Sequence, residues 1–115
     1  MTMQLSDPTL LKSDAYIDGQ WNASTTGETY PVTDPATGDT LAAVAHCSRA
    51  ETVDAIAAAE QALSDWRATP AKQRANILKA WHALMLDAQE DLARILTAEQ
   101  GKPLAEARGE IAYGA

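Results

Sequence analysis

The 115-residue sequence has no phenylalanine, one cysteine, and only 9 lysines and arginines against 16 aspartates and glutamates. Each shortage removes a class of protein. A lone cysteine, Cys47, excludes an internal disulfide framework and a cysteine-built metal site. A formal net charge of −7 repels phosphate backbones and anionic lipid, which argues against nucleic acid and membrane surfaces as partners. No apolar run approaches the roughly 20 residues that cross a bilayer. The opening stretch carries Asp7 and Pro8 and lacks a basic segment ahead of a long apolar one, so it does not read as a signal peptide. These absences point to a soluble protein of the cytoplasm.

The means of building a core are also limited. Apolar residues make up 46% of the chain, but much of that is alanine, which buries little area. Trp21, Trp66, Trp81 and the Leu, Ile and Val set are therefore expected to supply most of the core. Alanine-rich helices of this kind press closely against something larger. The length suits one domain, or part of one.

What is present divides at Ser48. Up to that point there are six acids and one base; beyond it there are ten acids and eight bases. The period of the apolar residues changes at the same place. Residues 1–14 read as a flexible lead-in. Ala15-Tyr16-Ile17 and Gln20-Trp21 then flank Asp18-Gly19, a dipeptide suited to the positive φ angles of a tight hairpin. Thr29 to Thr33 reads as extended, with Pro31 favouring an edge. Asp34-Pro35-Ala36-Thr37-Gly38 is a turn, because proline presets φ, Asp34 can accept from the following backbone and Gly38 takes the left-handed position. A second extended run, Thr40 to Cys47, follows.

After Ser48 the spacing becomes helical. Ser48 and Glu51 stand as a capping box, and Val53, Ile56, Ala59/Glu60 and Leu63 repeat every three to four residues. That helix is expected to end near Arg67, because Pro70 restricts Thr69. Pro70 then opens a second helix, with Thr69 as its cap and a stripe of Arg74, Ile77/Leu78, Trp81, Leu84/Met85 and Ala88. A second pair at capping-box spacing, Asp87 and Glu90, predicts a break. A third helix runs to Gln100, Gly101 caps it, and Pro103 starts a fourth with Leu104, Ala107 and Ile111. The appearance is α+β: a small antiparallel β unit followed by several helices.

Ordered pieces along the chain resemble the N-terminal segment of the aldehyde dehydrogenase family. They are Tyr16-Ile17-Asp18-Gly19-Gln20-Trp21, then Asp34 to Gly38 with its strand, Arg74 within a helix, and Asp91-Leu92-Ala93. The run Glu99-Gln100-Gly101-Lys102-Pro103-Leu104-Ala105-Glu106-Ala107-Arg108-Gly109-Glu110 completes the set, and with Ile111 it is similar to the NAD(P)-dependent succinate-semialdehyde dehydrogenase branch. The resemblance implies an α/β parent fold, in which residues 15–115 are the incomplete N-terminal part of the cofactor-binding domain. It implies oxidation of succinate semialdehyde, or a close semialdehyde, to the acid with NAD or NADP. A cysteine thiolate adds to the aldehyde, hydride passes to the nicotinamide, and a glutamate activates water. Those residues fall outside the matched region, so this segment alone is expected to be inactive, to bind no cofactor and to need the remainder of the dehydrogenase chain. The parent is expected to be a homo-oligomer. The resemblance also implies a monovalent cation held by backbone carbonyls of Val32 and Thr33 and the carboxylate of Glu99, with a further ligand beyond Ala115.

Other residues invite chemistry and have plainer readings. His46 and Cys47 are adjacent in a predicted strand and point to opposite faces, so Cys47 reads as a small structural residue. His82 stands alone on a helix without a second ligand. No two glycines have the G-x-G spacing of a dinucleotide loop. The pairs Glu90/Asp91 and Glu106/Glu110 read as solvated helix faces and dipole partners, and Lys102 as a helix-end cation. The competing reading is a stand-alone noncatalytic helical interaction module. Dehydrogenase sequence continuing the reading frame past Ala115 would favour the fragment, and a stop codon there the module.

Overall fold

A computed structural model describes residues 3–115 of the chain. Four short strands precede four helices: β1 (Ala15–Ile17), β2 (Gln20–Asn22), β3 (Thr29–Thr33), β4 (Thr40–Ala45), α1 (Arg49–Ala68), α2 (Ala71–Asp87), α3 (Gln89–Gln100) and α4 (Leu104–Gly114). The strands make two separate antiparallel pairs, β1 with β2 and β3 with β4. Asp18 and Gly19 both adopt positive φ, 50° and 74°, which turns the first pair in two residues. In the second pair Ala36 N donates to Asp34 Oδ1 at 2.8 Å and Gly38 sits at φ 80°, as the turn sequence requires. Pro31 lies opposite Ala43, and a two-stranded sheet leaves an open edge for its missing donor. The second strand ends at Ala45, two residues short of the expected Cys47.

The helix signals hold at three points and shift at two. The Ser48–Glu51 capping box is formed, the chain breaks between Asp87 and Gln89, and Gly101 closes α3 at φ 85°. Thr69, expected to cap α2, instead closes α1, its hydroxyl donating to Asp65 O at 2.8 Å. Pro70 already sets the entry to α2, so a side-chain cap there is dispensable. Asp87 and Glu90 do not form a capping box, because α3 starts without a side-chain cap and Glu90 turns to Arg108 and Arg94.

The expected core is not where the tryptophans are. Trp21, Trp66 and Trp81 all remain exposed, and among the described residues the buried apolar ones are Ala93 on α3 and Ala107 on α4. Small side chains at these positions let α3 and α4 approach closely after the Gly101 reversal, and this is the most extensive helix–helix contact of the chain. Gly101 itself leaves no room for a side chain, since an added Cβ would lie 3.0 Å from Pro35 Cγ. The α3 end therefore seats against the turn that joins β3 to β4.

Residues 1–2 of the expected lead-in lie outside the described residues. The rest of it contacts α3 and β4. Ser6 N and Asp7 N donate to Asp91 Oδ1 and Oδ2 at 2.9 and 2.8 Å, Arg94 Nη1 donates to Gln4 O, and Ala45 N donates to Ser13 O. A short 3-10 turn, Pro8–Leu10, follows, capped by Asp7.

Candidate functional site

The expected cation residues lie at the ends of β3 and α3. Val32 and Thr33 close β3, and the register shifts between them, a bulge that re-aims the backbone at that point. Glu99 lies in the last turn of α3 and is exposed. A cavity of about 500 Å³ opens between the two elements, lined by Asp34, Leu41, Arg94, Thr97, Ala98 and Leu104 with Met3 and Gln4. Its wall takes the neighbours of Thr33 and Glu99 and none of the three expected ligands. Thr97 Oγ1 is buried there without a hydrogen-bond partner among the described residues. Among those residues no group of three His, Cys, Asp or Glu is placed to hold a metal ion.

Two carboxylates missed as fixed points in the sequence organise the surroundings. Glu51 is only 5% exposed and accepts from Ser48 Oγ (2.5 Å), Ser48 N (2.8 Å), Thr25 N (2.7 Å) and Thr25 Oγ1 (2.7 Å). The Ser48 hydroxyl, then the Thr25 donors, hold its carboxyl well below the usual carboxylate range. The capping box made half of this visible; Thr25, 26 residues away, gave no signal. Asp91, read as a solvated helix-face acid, is instead 6% exposed, with both oxygens on the lead-in backbone. It stands in the first turn of α3, where the helix dipole favours an anion.

The remaining candidates are held in ion pairs or stand singly. Glu90 pairs with Arg108 (2.7 Å) and Arg94 (3.2 Å), and the Arg108 hydrogen bond lowers its pKa while raising that of Arg108. Lys102 pairs with Glu110, which explains it without an anion ligand, and Glu106 is exposed. His46 Nδ1 lies 4.0 Å from Glu28 Oε2 and its ring is edge-on to Tyr30. Cys47 is half-buried and free, and His82 is exposed on α2.

The first turn of α1 is taken by its own capping box, α3 begins with Glu90 and Asp91, and α2 and α4 are entered through Pro70 and Pro103. The glycines with positive φ are 19, 27, 38 and 101, none of which opens a helix. No described helix is long and apolar enough to cross a membrane.

Comparison with known proteins gives this arrangement a context. Residues 21–115 match the profile of the aldehyde dehydrogenase family. The chain is 54% identical over 112 residues to 3-sulfolactaldehyde dehydrogenase of Pseudomonas putida, covering 97% of this chain and 23% of that protein. It is 51% identical over 113 residues to the NADP-dependent succinate-semialdehyde dehydrogenase of Escherichia coli K12, covering 98% and 23%. Its backbone superposes on the crystal structure of succinate-semialdehyde dehydrogenase from Burkholderia pseudomallei with a TM-score of 0.92 and 52% identity, over 95% of this chain and 23% of that one. The chain thus spans about a quarter of the length of the relatives it matches.

Proposed function

Because this chain belongs to the aldehyde dehydrogenase family, we propose that it is the N-terminal part of an enzyme that oxidises a short anionic aldehyde to the acid with NAD or NADP. Succinate semialdehyde, or a close semialdehyde, is the substrate that the similarity supports best. The carrying observation is the match of about half of all residues to succinate-semialdehyde dehydrogenases, with the backbone superposing throughout. The names of these relatives share one chemistry, an aldehyde at one end of a short chain and an acid group at the other.

In this reading residues 15–115 supply outer strands and helices of the cofactor-binding domain. When bound, NAD or NADP supplies the hydride acceptor. The described residues orient the frame around it and hold no proton or substrate themselves. The rest of the dehydrogenase chain carries the nucleophile and the water-activating glutamate, and the assembled subunits form a homo-oligomer in the cytoplasm. Val32, Thr33 and Glu99 border the seam where a monovalent cation would brace β3 against α3, completed by oxygen ligands from the rest of the subunit.

A chimera tests this. Residues 15–115 replace the matching segment of the Burkholderia pseudomallei enzyme, and reduced nicotinamide is followed with succinate semialdehyde, a longer semialdehyde and an uncharged aldehyde of equal length. Turnover with strong preference for the anionic aldehydes is expected, and none from the 115-residue chain alone. A folded chimera without turnover overturns the placement of these residues in the cofactor-binding domain. The second reading, a noncatalytic helical interaction module, draws on the exposed apolar side chains of α1 and α2. Activity in the chimera counts against it.

A further inference from the structure

Residues 3–14, which the sequence presents as a flexible lead-in, have the three parts of a strap: a stiff body, a latch and a hinge. The body is the short turn that follows Asp7. Asp7 Oδ1 accepts from Thr9 N at 2.9 Å and Thr9 Oγ1 at 2.6 Å, while Leu10 N and Leu11 N donate back to Asp7 O and Pro8 O. Pro8 presets φ within the same turn. These bonds are internal to the segment, so they survive its leaving the surface.

The latch is Asp91. Its two oxygens hold the N–H groups of Ser6 and Asp7, and Arg94 Nη1 adds a longer bond to Gln4 O at 3.3 Å. The hinge is Ser13, whose carbonyl accepts from Ala45 N of β4 at 2.8 Å. None of residues 3–14 is buried; Met3, Leu5, Leu10 and Leu11 are half-buried and the others exposed.

The packing around the segment is open. A cavity of about 710 Å³ is lined by Leu5, Pro8 and Leu11 and by Asp39, Thr40 and Leu41 at the entry to β4. The cavity that reaches Thr97, Ala98 and Leu104 adjoins it, since Met3, Gln4 and Leu41 line both. Close-packed interiors leave few voids larger than a water molecule, so a polar latch and not a close fit holds this segment. On opening, water replaces the partners of both the carboxylate and the two N–H groups. That exchange forfeits less than drawing an apolar anchor out of a core.

We propose that residues 3–11 are a strap that swings as one body about Ser13 when the Asp91 latch parts, uncovering a continuous groove between β4 and α3. The β3–β4 ladder, the Gly101 closure of α3 and the Glu90–Arg108 pair do not pass through the strap, so its seat stays in place.

The latch is best broken from the strap side. Asp91 also places an anion in the first turn of α3, so replacing it disturbs the helix as well. Ser6→Pro removes one donor and leaves Asp91 where it is. Amide hydrogen exchange of the 115-residue chain, with and without dilute urea, reads the result. In the unaltered chain Ser6 and Asp7 are expected to exchange at one shared rate that dilute urea barely changes, because opening exposes far less surface than unfolding. Ala45 and Leu96 should exchange at least tenfold more slowly. In Ser6→Pro the Asp7 amide should exchange at least tenfold faster, with Ala45 and Leu96 unchanged. Relaxation of the Leu41 and Leu104 methyls by a soluble paramagnetic probe should rise with it. Ser6 and Asp7 amides that share the rate and urea dependence of Leu96 overturn the strap, since the segment then opens only with the fold. Release of Ala45 together with them overturns the hinge. Unchanged exchange of Asp7 in Ser6→Pro overturns the latch, and methyls that stay shielded overturn the uncovering of the groove.

Discussion

The α3–α4 corner is a packed helical pair, whereas α1 and α2 follow one another with little mutual packing and touch the rest of the chain more lightly. In the corner Ala93 and Ala107 are fully buried, Gln89 Nε2 donates to Arg108 O, Glu90 pairs with Arg108, and Asp91 holds backbone 84 and 85 residues earlier. In the α1–α2 arm the hydrogen bonds are mostly short-range: Ser48 with Glu51, Thr69 with Asp65, and Arg74 with the carbonyls of Trp66, Arg67 and Thr69. Thr25 to Glu51 is the one long-range hydrogen bond named there among the described residues. The apolar area is distributed the opposite way, since the arm carries the larger side chains. Local bonds make a helix, and distant donors or a covered apolar stripe fix its place. The arm has the first and offers the stripe uncovered.

Removing the corner's longest tie should have the largest effect. Asp91→Ala leaves the Ser6 and Asp7 N–H groups without their acceptor and is expected to cost about 1 to 3 kcal/mol. Amide hydrogen exchange at Ser6 and Asp7 should accelerate, together with that of residues across α3. Exchange that changes in α1 and α2 instead would mean that the corner is not the fastened unit. Gly101→Ala comes next, at about 1 to 2 kcal/mol, because a side chain at φ 85° is strained and its Cβ meets Pro35 Cγ. Thermal unfolding of the two proteins should show it, and an unchanged midpoint would place the α3 end free of the β3–β4 turn.

Arg74→Ala tests the arm in the same way and should do less, about 1 kcal/mol. Its Nη1 donates to Thr69 O at 2.9 Å and Arg67 O at 3.1 Å, closing the end of α1 from the start of α2. Arg74→Lys keeps the charge but reaches fewer carbonyls, so it should fall between. A loss exceeding that of Asp91→Ala would reverse the comparison.

Much of this division was hidden in the sequence, and the reason is physical. The period-2 and period-3.6 patterns, Asp18-Gly19, Asp34 to Gly38, Ser48/Glu51 and Gly101 are local, so element order and type were legible. The family was legible too, from ordered motifs. The roles of Thr25 and Asp91 were not, because their partners lie 26 and 84 to 85 residues away. The apolar stripes of α1 and α2 were visible, but a stripe says only that something covers it. Expecting Trp66 and Trp81 to build a core within the chain assigned them to the wrong side of that surface.

The smallest effect, over ordinary pH, should come from the carboxylate that anchors the arm. Four donors around Glu51 stabilise its charged form, so its folded pKa lies below the unfolded value of about 4.3. A depressed acid contributes stability that is complete above the unfolded value and is lost as pH falls through the folded one. Between pH 7 and pH 5, therefore, Glu51 should change nothing measurable. Below pH 4 the folded carboxyl resists protonation while the unfolded one accepts it, and the Thr25 loop should begin to part from α1. The Thr25 amide, followed by NMR, reports this directly, with Glu51→Gln showing the released state at all pH values. Asp7 and Glu90 are also depressed and lie at the corner, so their loss falls in the same acid range. Release of the Thr25 amide already at pH 6, with the corner unchanged, would show that the four-donor cradle does not hold a charged Glu51 and that the arm lacks even its one long tie.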